Sequence, residues 1–209
     1  MSVPARTEPN GDAGARRAID QMLVASTCDL FLAYGQLIQR HTLVSPKAMR
    51  LPEDTAIGST AEVRGAMVDG RVPSGRLILT TSFDLVAASH PARAGGKPLS
   101  AAAPGDWLYV RDWAKELANQ LLGRLTNRIG AYNITLSPGR CTALTGPVVA
   151  AEIAAQKTPL LAFQWSRHQL YVGLDLVLPP KSEAQLSGTA QRYVATEGTV
   201  LFLDSGPSK

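Results

Sequence analysis

Three short polar side chains share one face of a stretch that otherwise has the pattern of a buried helix. In "RDWAKELANQLLG", residues 111–123, they are Asp112, Glu116 and Asn119. At about 100° per residue, these three and Gly123 fall within a stripe about 60° wide. The apolar side chains that fall on the opposite side are Val110, Ala114, Leu117, Leu121 and Leu125. The spacing predicts a helix with one buried side and one polar stripe.

Two features of this stripe are unusual for a face that is only solvated. Such faces mostly use Lys and Glu, whereas Asn is a poor residue inside a helix. Gly123 costs about 1 kcal/mol of helix stability relative to Ala. A cost of this size is explained if another surface must approach the helix closely at Gly123. The two interpretations that remain are a solvated face and a working surface.

The composition favours a single soluble domain. The chain has 209 residues, of which 45% are hydrophobic and 18% charged, which is enough for a core. No segment has the roughly 20 continuous apolar residues of a membrane helix, and the N-terminus lacks the apolar core of a signal peptide. We therefore expect a cytoplasmic protein.

Charge and cysteines argue against two classes of site. The net charge is +4, but the basic residues are dispersed, which argues against nucleic acid and is compatible with an acidic protein partner. Cys28 and Cys141 lack the spacing of metal ligands, so we predict packed free thiols and no metal site.

Helical patterns recur in three places. Residues 1–13 are predicted to be a disordered tail, and apolar periodicity predicts a first helix over 15–39. Ser82 is placed to cap a short helix over 83–90, and Asp106 to cap the main helix over 107–129. Residues 41–55 are predicted to be an irregular connection.

The remaining segments have the patterns of strands. Residues 59–81 predict a hairpin around the turn "DGRVPSG". Further strands are predicted over 132–137, 141–154, 160–165 and 169–178. The fold class is therefore α+β, a single domain over 14–180 with long helices packed on a largely antiparallel sheet. Residues 181–209 form a C-terminal extension, possibly ending in the strand "TVLFL".

The segment "KELANQLLG", with Asp112 four residues before Glu116, resembles the D/S-x3-E-x2-N signature of the CheC/CheX/FliY phosphatases of bacterial chemotaxis. The similarity is strongest to CheX, since "YNITLS" and "RCTALTG" follow the helix in the family order, and "LILTTSFDLVAAS" precedes it. The resemblance covers roughly residues 58–178, with residues 15–42 as the first helix of the family. It implies a CheX-like fold, a cytoplasmic homodimer and two-component signalling.

The resemblance also implies a substrate and roles for the stripe. The substrate would be the aspartyl phosphate of a CheY-like response regulator, whose receiver domain supplies the Mg²⁺, so this chain would bind no cofactor. Asn119 would orient the attacking water, and Glu116 would bind a cation of the receiver. Asp112, Lys115, Gln120 and Gly123 are the candidates for contacting the partner, although Lys115 and Gln120 also suit solvated side chains.

This sequence departs from the family pattern, and its segments 91–104 and 181–209 have no assignable family counterpart. Cys141 stands where the family has a proline beside the site, and the first helix lacks the second E-x2-N motif of CheC, which implies one site per chain. Two other hypotheses stay open. One is a non-catalytic CheX-like adaptor or dimerising scaffold that binds a receiver domain. The other is a flagellar-switch component, which would need switch-binding segments that are not recognisable in this sequence.

Overall fold

The computed structural model describes residues 10–67, 70, 72–90, 98–132, 134–166 and 168–177. Its helices are α1 Asn10–Leu32, α2 Phe83–Ser89, α3 Pro104–Gly130 and α4 Pro147–Ala154. Its strands are β1 Arg40–Val44, β2 Ala56–Met67, β3 Ser74–Ser82, β4 Ile134–Thr145, β5 Leu160–Trp165 and β6 His168–Val177. Of the predicted disordered tail over 1–13, residues 1–9 lie outside the described residues, as does the C-terminal extension over 181–209. The prediction is wrong for residues 10–13, because helix α1 already begins at Asn10.

The described strands form one antiparallel sheet in the order β1-β5-β6-β3-β2-β4. The predicted hairpin is confirmed, since β2 and β3 pair from Ala56 opposite Ser82 to Arg64 opposite Ser74. The strands predicted over 160–165 and 169–178 are also confirmed, as β5 and β6. The predicted α+β class with an antiparallel sheet is therefore correct.

Alternation along the strands separates two layers of core. Ile57, Leu79 and Phe163 point to one face, where they pack with α1, α2 and α3 in the larger cluster. Ile78 and Leu160 point to the other face, where they pack with α4 and the segment around Met49. The polar stripe lies on α3, so the layer of long helices is the one that presents the candidate site.

Helix α1 ends seven residues earlier than the sequence pattern predicts. Gly35 has φ +71°, a conformation that glycine adopts without strain. Its N–H donates to the Leu32 carbonyl at 2.9 Å, and the Gln36 N–H donates to the Phe31 carbonyl at 2.9 Å. These two bonds form a Schellman motif, which ends the helix and leaves Tyr34 as its C-cap residue.

Two other predictions about single elements are wrong. The segment predicted as an irregular connection contains β1, a short strand whose side chains are mostly exposed and therefore carry no alternating pattern. The predicted strand over 141–154 is divided into the end of β4 and helix α4. Pro147 suits the first turn of a helix, and three alanines within α4 favour helix over strand.

Candidate functional site

Helix α3 is held firmly from one side. Its eight buried residues are Val110, Ala114, Leu117, Ala118, Leu121, Leu122, Leu125 and Ile129. They pack the helix against α1, β2 and β4. All eight residues are fully buried, so the helix cannot rotate about its axis without exposing apolar surface to water. The direction of the opposite side chains is therefore fixed by the core.

The start of α3 differs from its predicted capping. The helix begins at Pro104 and not at residue 107, and Ala103 occupies the cap position. Asp106 lies inside the first turn, where its Oδ2 accepts a hydrogen bond of 2.8 Å from the Ser100 backbone N–H. Pro104 suits the first turn because proline has no N–H to leave unbonded there. The prediction that Asp106 caps the helix is therefore wrong.

The predicted polar stripe faces solvent. Asp112, Glu116, Asn119 and Gly123 are all exposed. Glu116 and Asn119 are three residues apart on one helix, which places their Cβ atoms roughly 5–6 Å from each other. The structure therefore brings the two predicted catalytic side chains together on an accessible surface, and the chemical roles assigned to them stay predictions.

Glu116 is held by a neighbour, whereas Asn119 is open. The Gln120 Nε2 donates to Glu116 Oε1 at 2.8 Å, and the Tyr34 hydroxyl donates to Gln120 Oε1 at 2.6 Å. The side chain of Asn119 has no hydrogen-bond partner among the described residues. Gln120 is partly buried, so it is more than the solvated side chain that its sequence position suggests. An amide with free donor and acceptor groups can bind a water molecule.

Asp112 and Lys115 form an ion pair at one side of the stripe. The Lys115 Nζ lies 2.6 Å from Asp112 Oδ1. The hydrogen bond from Lys115, and then its positive charge, hold the pKa of the Asp112 carboxyl below its ordinary value. The two predicted partner-binding residues therefore form a local dipole, and neither is a lone charge.

Cys141 lies beneath this part of the helix. Its Sγ is 3.1 Å from the Ser59 hydroxyl oxygen and 3.5 Å from the Lys115 carbonyl oxygen. Both cysteines are free and pack against the core, as predicted. Cys141 thus contacts the backbone of α3 directly, one residue before Glu116.

Three residues near the stripe are missing from the sequence-based prediction. Leu108 is 64% exposed and Tyr109 is 62% exposed, on the turn of α3 before Asp112. On the same helical wheel, Leu108 lies about 40° to one side of Asp112 and Tyr109 about 60° to the other side. The helical pattern is sufficient to place both residues on the exposed side of α3. Isolated apolar residues are common on solvent-exposed surfaces, so the two do not by themselves indicate a contact site. Tyr34 could not have been found, because 86 residues separate it from Gln120.

No cluster of three or more His, Cys, Asp or Glu suited to a metal ion occurs in the part of the chain that the structure describes. None of the described helices is long and apolar enough to span a membrane. The expectation that this chain binds no cofactor stays a prediction.

Comparison with known proteins identifies the fold. The sequence matches no family model and no curated protein. Among solved structures, a CheC-like superfamily protein from Shewanella sp. PV-4 is similar with a TM-score of 0.55 and 13% identity, over 77% of this chain and 98% of that one. The chemotaxis protein CheX from Vibrio vulnificus has a TM-score of 0.54 and 10% identity, over 76% of this chain and 99% of that one.

A third similar structure is a complex. It is the CheX–CheY–BeF3–Mg²⁺ complex from Borrelia burgdorferi, with a TM-score of 0.53 and 8% identity, over 76% of this chain and 97% of that one. At these identities the comparison speaks for the fold. The resemblance inferred from the sequence is confirmed at that level: the chain has the fold of these CheC-like and CheX structures.

Proposed function

We propose that the protein is a phosphatase that accelerates hydrolysis of the aspartyl phosphate on a CheY-like receiver domain in chemotaxis or two-component signalling. The observation that carries the proposal is that Glu116 and Asn119 lie side by side, exposed, on a helix whose orientation is fixed by its core side. The complex of a CheX with CheY, in a protein of the same fold, supports a partner of this class.

The reaction needs little from this chain beyond positioning. A water oxygen attacks phosphorus, the P–O bond to the receiver's aspartate breaks, and inorganic phosphate and a free carboxylate are formed. Phosphoryl transfer is catalysed mainly by positioning and electrostatics. Charge stabilisation at the phosphoryl oxygens would come from the Mg²⁺ of the receiver. The step left to this chain is to hold the attacking water in line with the bond that breaks.

Asn119 suits that step. Its carboxamide offers one acceptor and two donors at fixed distances, and it is too weak a base to remove the proton itself. It therefore orients the water, as glutamine does in GTPases. The Asn119 carboxamide forms no hydrogen bond to other described residues, so none of these has to break before it binds water.

Glu116 suits docking. Its carboxylate can form a charge-assisted hydrogen bond to a cation of the receiver, which would fix how the two proteins meet. The exposed Leu108 and Tyr109 extend the same face by one turn and offer it apolar contact area. Gly123, one turn beyond Asn119, leaves room for the partner's surface at the other end.

The test separates positioning from docking. In Asn119→Ala, we expect the hydrolysis rate in single-turnover assays to fall about 10²-fold or more, with nearly unchanged affinity for a receiver carrying beryllium trifluoride. In Glu116→Ala, we expect affinity and rate to fall together, by about 2 kcal/mol in binding. Asn127→Ala is the matched control, because Asn127 is also exposed on α3 but lies eight residues, or about 12 Å, further along.

Two results would contradict the proposal in different ways. If Asn119→Ala hydrolyses the phosphorylated receiver at the wild-type rate, the role of Asn119 is wrong. If the wild-type protein binds the receiver but never speeds hydrolysis, the chain is an adaptor that keeps the docking face without the chemistry.

A homodimer belongs to the same proposal. Among the described strands, the two edges of the sheet are β1 and β4, and each has one side without a partner strand. A second copy could extend the sheet at the β1 edge, whose strand contains no proline, as β-strand addition does in other assemblies. Light scattering at tens of micromolar should give the mass of a dimer. A monomer at that concentration would exclude a specific dimer of useful strength.

A further inference from the structure

Glu116 lies at the end of a short chain of hydrogen bonds that crosses from one helix to another. The Tyr34 hydroxyl donates to Gln120 Oε1 at 2.6 Å, and the Gln120 Nε2 donates to Glu116 Oε1 at 2.8 Å. Gln120 and Glu116 are one turn apart on α3, whereas Tyr34 is the C-cap residue of α1. The carboxylate is thus connected to an element outside its own helix.

The direction of each bond follows from the chemistry of the groups. An ionised carboxylate only accepts hydrogen bonds, so Gln120 must turn its NH₂ toward Glu116. Its carbonyl oxygen then faces Tyr34, and the phenol must be the donor. No other arrangement satisfies all three groups, which removes the usual ambiguity between the oxygen and nitrogen of an amide.

Tyr34 is itself held from several sides. The Schellman motif at Gly35 fixes its backbone at the end of α1. Its ring meets Trp113 edge to face, with centroids 5.4 Å apart and planes at 84°. The Trp113 indole N–H in turn donates to the Ser89 hydroxyl at 3.0 Å, at the end of α2. The phenol that starts the chain is therefore anchored through α1, α2 and α3.

We propose that Tyr34 and Gln120 are positioning residues for Glu116. They hold Oε1, so the carboxylate meets the receiver in one orientation with Oε2 available for the partner's cation. This inference rests on the proposed function. An exposed glutamate otherwise samples several rotamers and loses that freedom when it binds. Fixing the side chain beforehand removes part of this loss, which we expect to improve affinity about three- to tenfold.

The opposing interpretation is that Tyr34 only joins α1 to α3. Tyr34→Phe tests it, because the variant keeps the ring on Trp113 and removes only the hydroxyl. Gln120→Met removes the next bond at similar volume. Tyr171→Phe is a matched control, since the Tyr171 hydroxyl also donates to a glutamine, Gln169 Oε1 at 2.9 Å, but packs in the core cluster on the opposite face of the sheet.

The expected result is a loss of receiver affinity that occurs only when Glu116 is present. Tyr34→Phe and Gln120→Met should each weaken binding of the beryllium trifluoride receiver about three- to tenfold, while Tyr171→Phe leaves it unchanged. In the Glu116→Ala background, Tyr34→Phe should have no further effect on affinity. If Tyr34→Phe weakens binding equally in both backgrounds, its role is structural and the inference is wrong.

A second measurement needs no receiver. Three-bond NMR couplings of the Glu116 side chain should show one dominant rotamer in the wild type and averaging in Tyr34→Phe and Gln120→Met, with no change in Tyr171→Phe. Averaging in the wild type would overturn the inference. If Glu116 is fixed but the wild type neither binds nor dephosphorylates a receiver, the proposed function fails while the bonding remains. If the wild type is active and Tyr34→Phe keeps full affinity, the inference fails alone.

Discussion

At Gly123, we expect one substitution to have opposite effects on the stability of the fold and on affinity for the receiver. It lies inside α3, seven residues before the last residue of the helix, and a Cβ built on it meets no heavy atom within 4 Å. Gly123→Ala should therefore cause no clash within the chain. Since alanine is favoured over glycine in a helix interior by about 1 kcal/mol, the variant should be more stable by about that amount.

This gain is large enough to measure. For a domain of this size it corresponds to an increase in Tm of about 2–4 °C, with a matching shift in the denaturant midpoint and an unchanged m value. Gly130→Ala is the control, because its Cβ is also unobstructed but Gly130 is the last residue of α3, where helix propensity contributes less. Lower stability of Gly123→Ala would show that the position is not open.

The same variant tests whether a partner packs at this point. Gly123 lies about 6 Å along the axis from Asn119, so a receiver seated over Asn119 would also cover it. An added methyl group in a close interface typically costs 1 kcal/mol or more, so affinity should fall about fivefold or more. Gly130→Ala should not change it. Higher stability of Gly123→Ala with full affinity would refute the interpretation of Gly123 as a contact.

Three further outcomes are expected. Leu121→Ala should lower the free energy of unfolding by about 2–5 kcal/mol in a denaturant titration, because Leu121 is fully buried. In an NMR titration, the carboxyl of Asp112 should have a lower pKa than an ordinary aspartate. The lowered pKa stabilises the folded state at pH values above the pKa of the unfolded state, and this stabilisation is lost as the pH falls through the pKa of the folded state. Lys115→Gln should raise the pKa of the Asp112 carboxyl back toward its ordinary value. Leu108→Ser should weaken receiver binding while the rate in the saturated complex is kept.

The helical period carried most of the correct predictions about the site. It placed Leu117 and Leu121 in the core and Glu116 and Asn119 in solvent, because a helix of 27 residues repeats its pattern many times. Short elements lack this redundancy. Strand β1 has five mostly exposed residues, and α4 has only eight with Val148 and Val149 near its start. Both were misassigned because neither is long enough to establish a period.

Contacts between segments that are distant in sequence could not be predicted, for a different reason. The bond between Tyr34 and Gln120 depends on how α1 packs against α3, and on the Schellman motif that ends α1 before residue 39. A glycine in a run of helical apolar residues does not by itself show that the helix stops there. The sequence therefore predicted which residues share a face of one helix, but not which residue of another helix supports them.

The two edges of the sheet differ in how they resist uncontrolled association. Strand β4 is interrupted by a register shift opposite Ala61 and Val63, and Pro138 lies in this stretch. Proline is accepted in an edge strand when its missing N–H falls on the outer side, so an added strand would lack a donor there. Strand β1 is regular and short, from Arg40 to Val44. Aggregation and fibril growth both require strands to be added at successive edges, so we expect a second copy to add at β1 and further growth through β4 to be opposed.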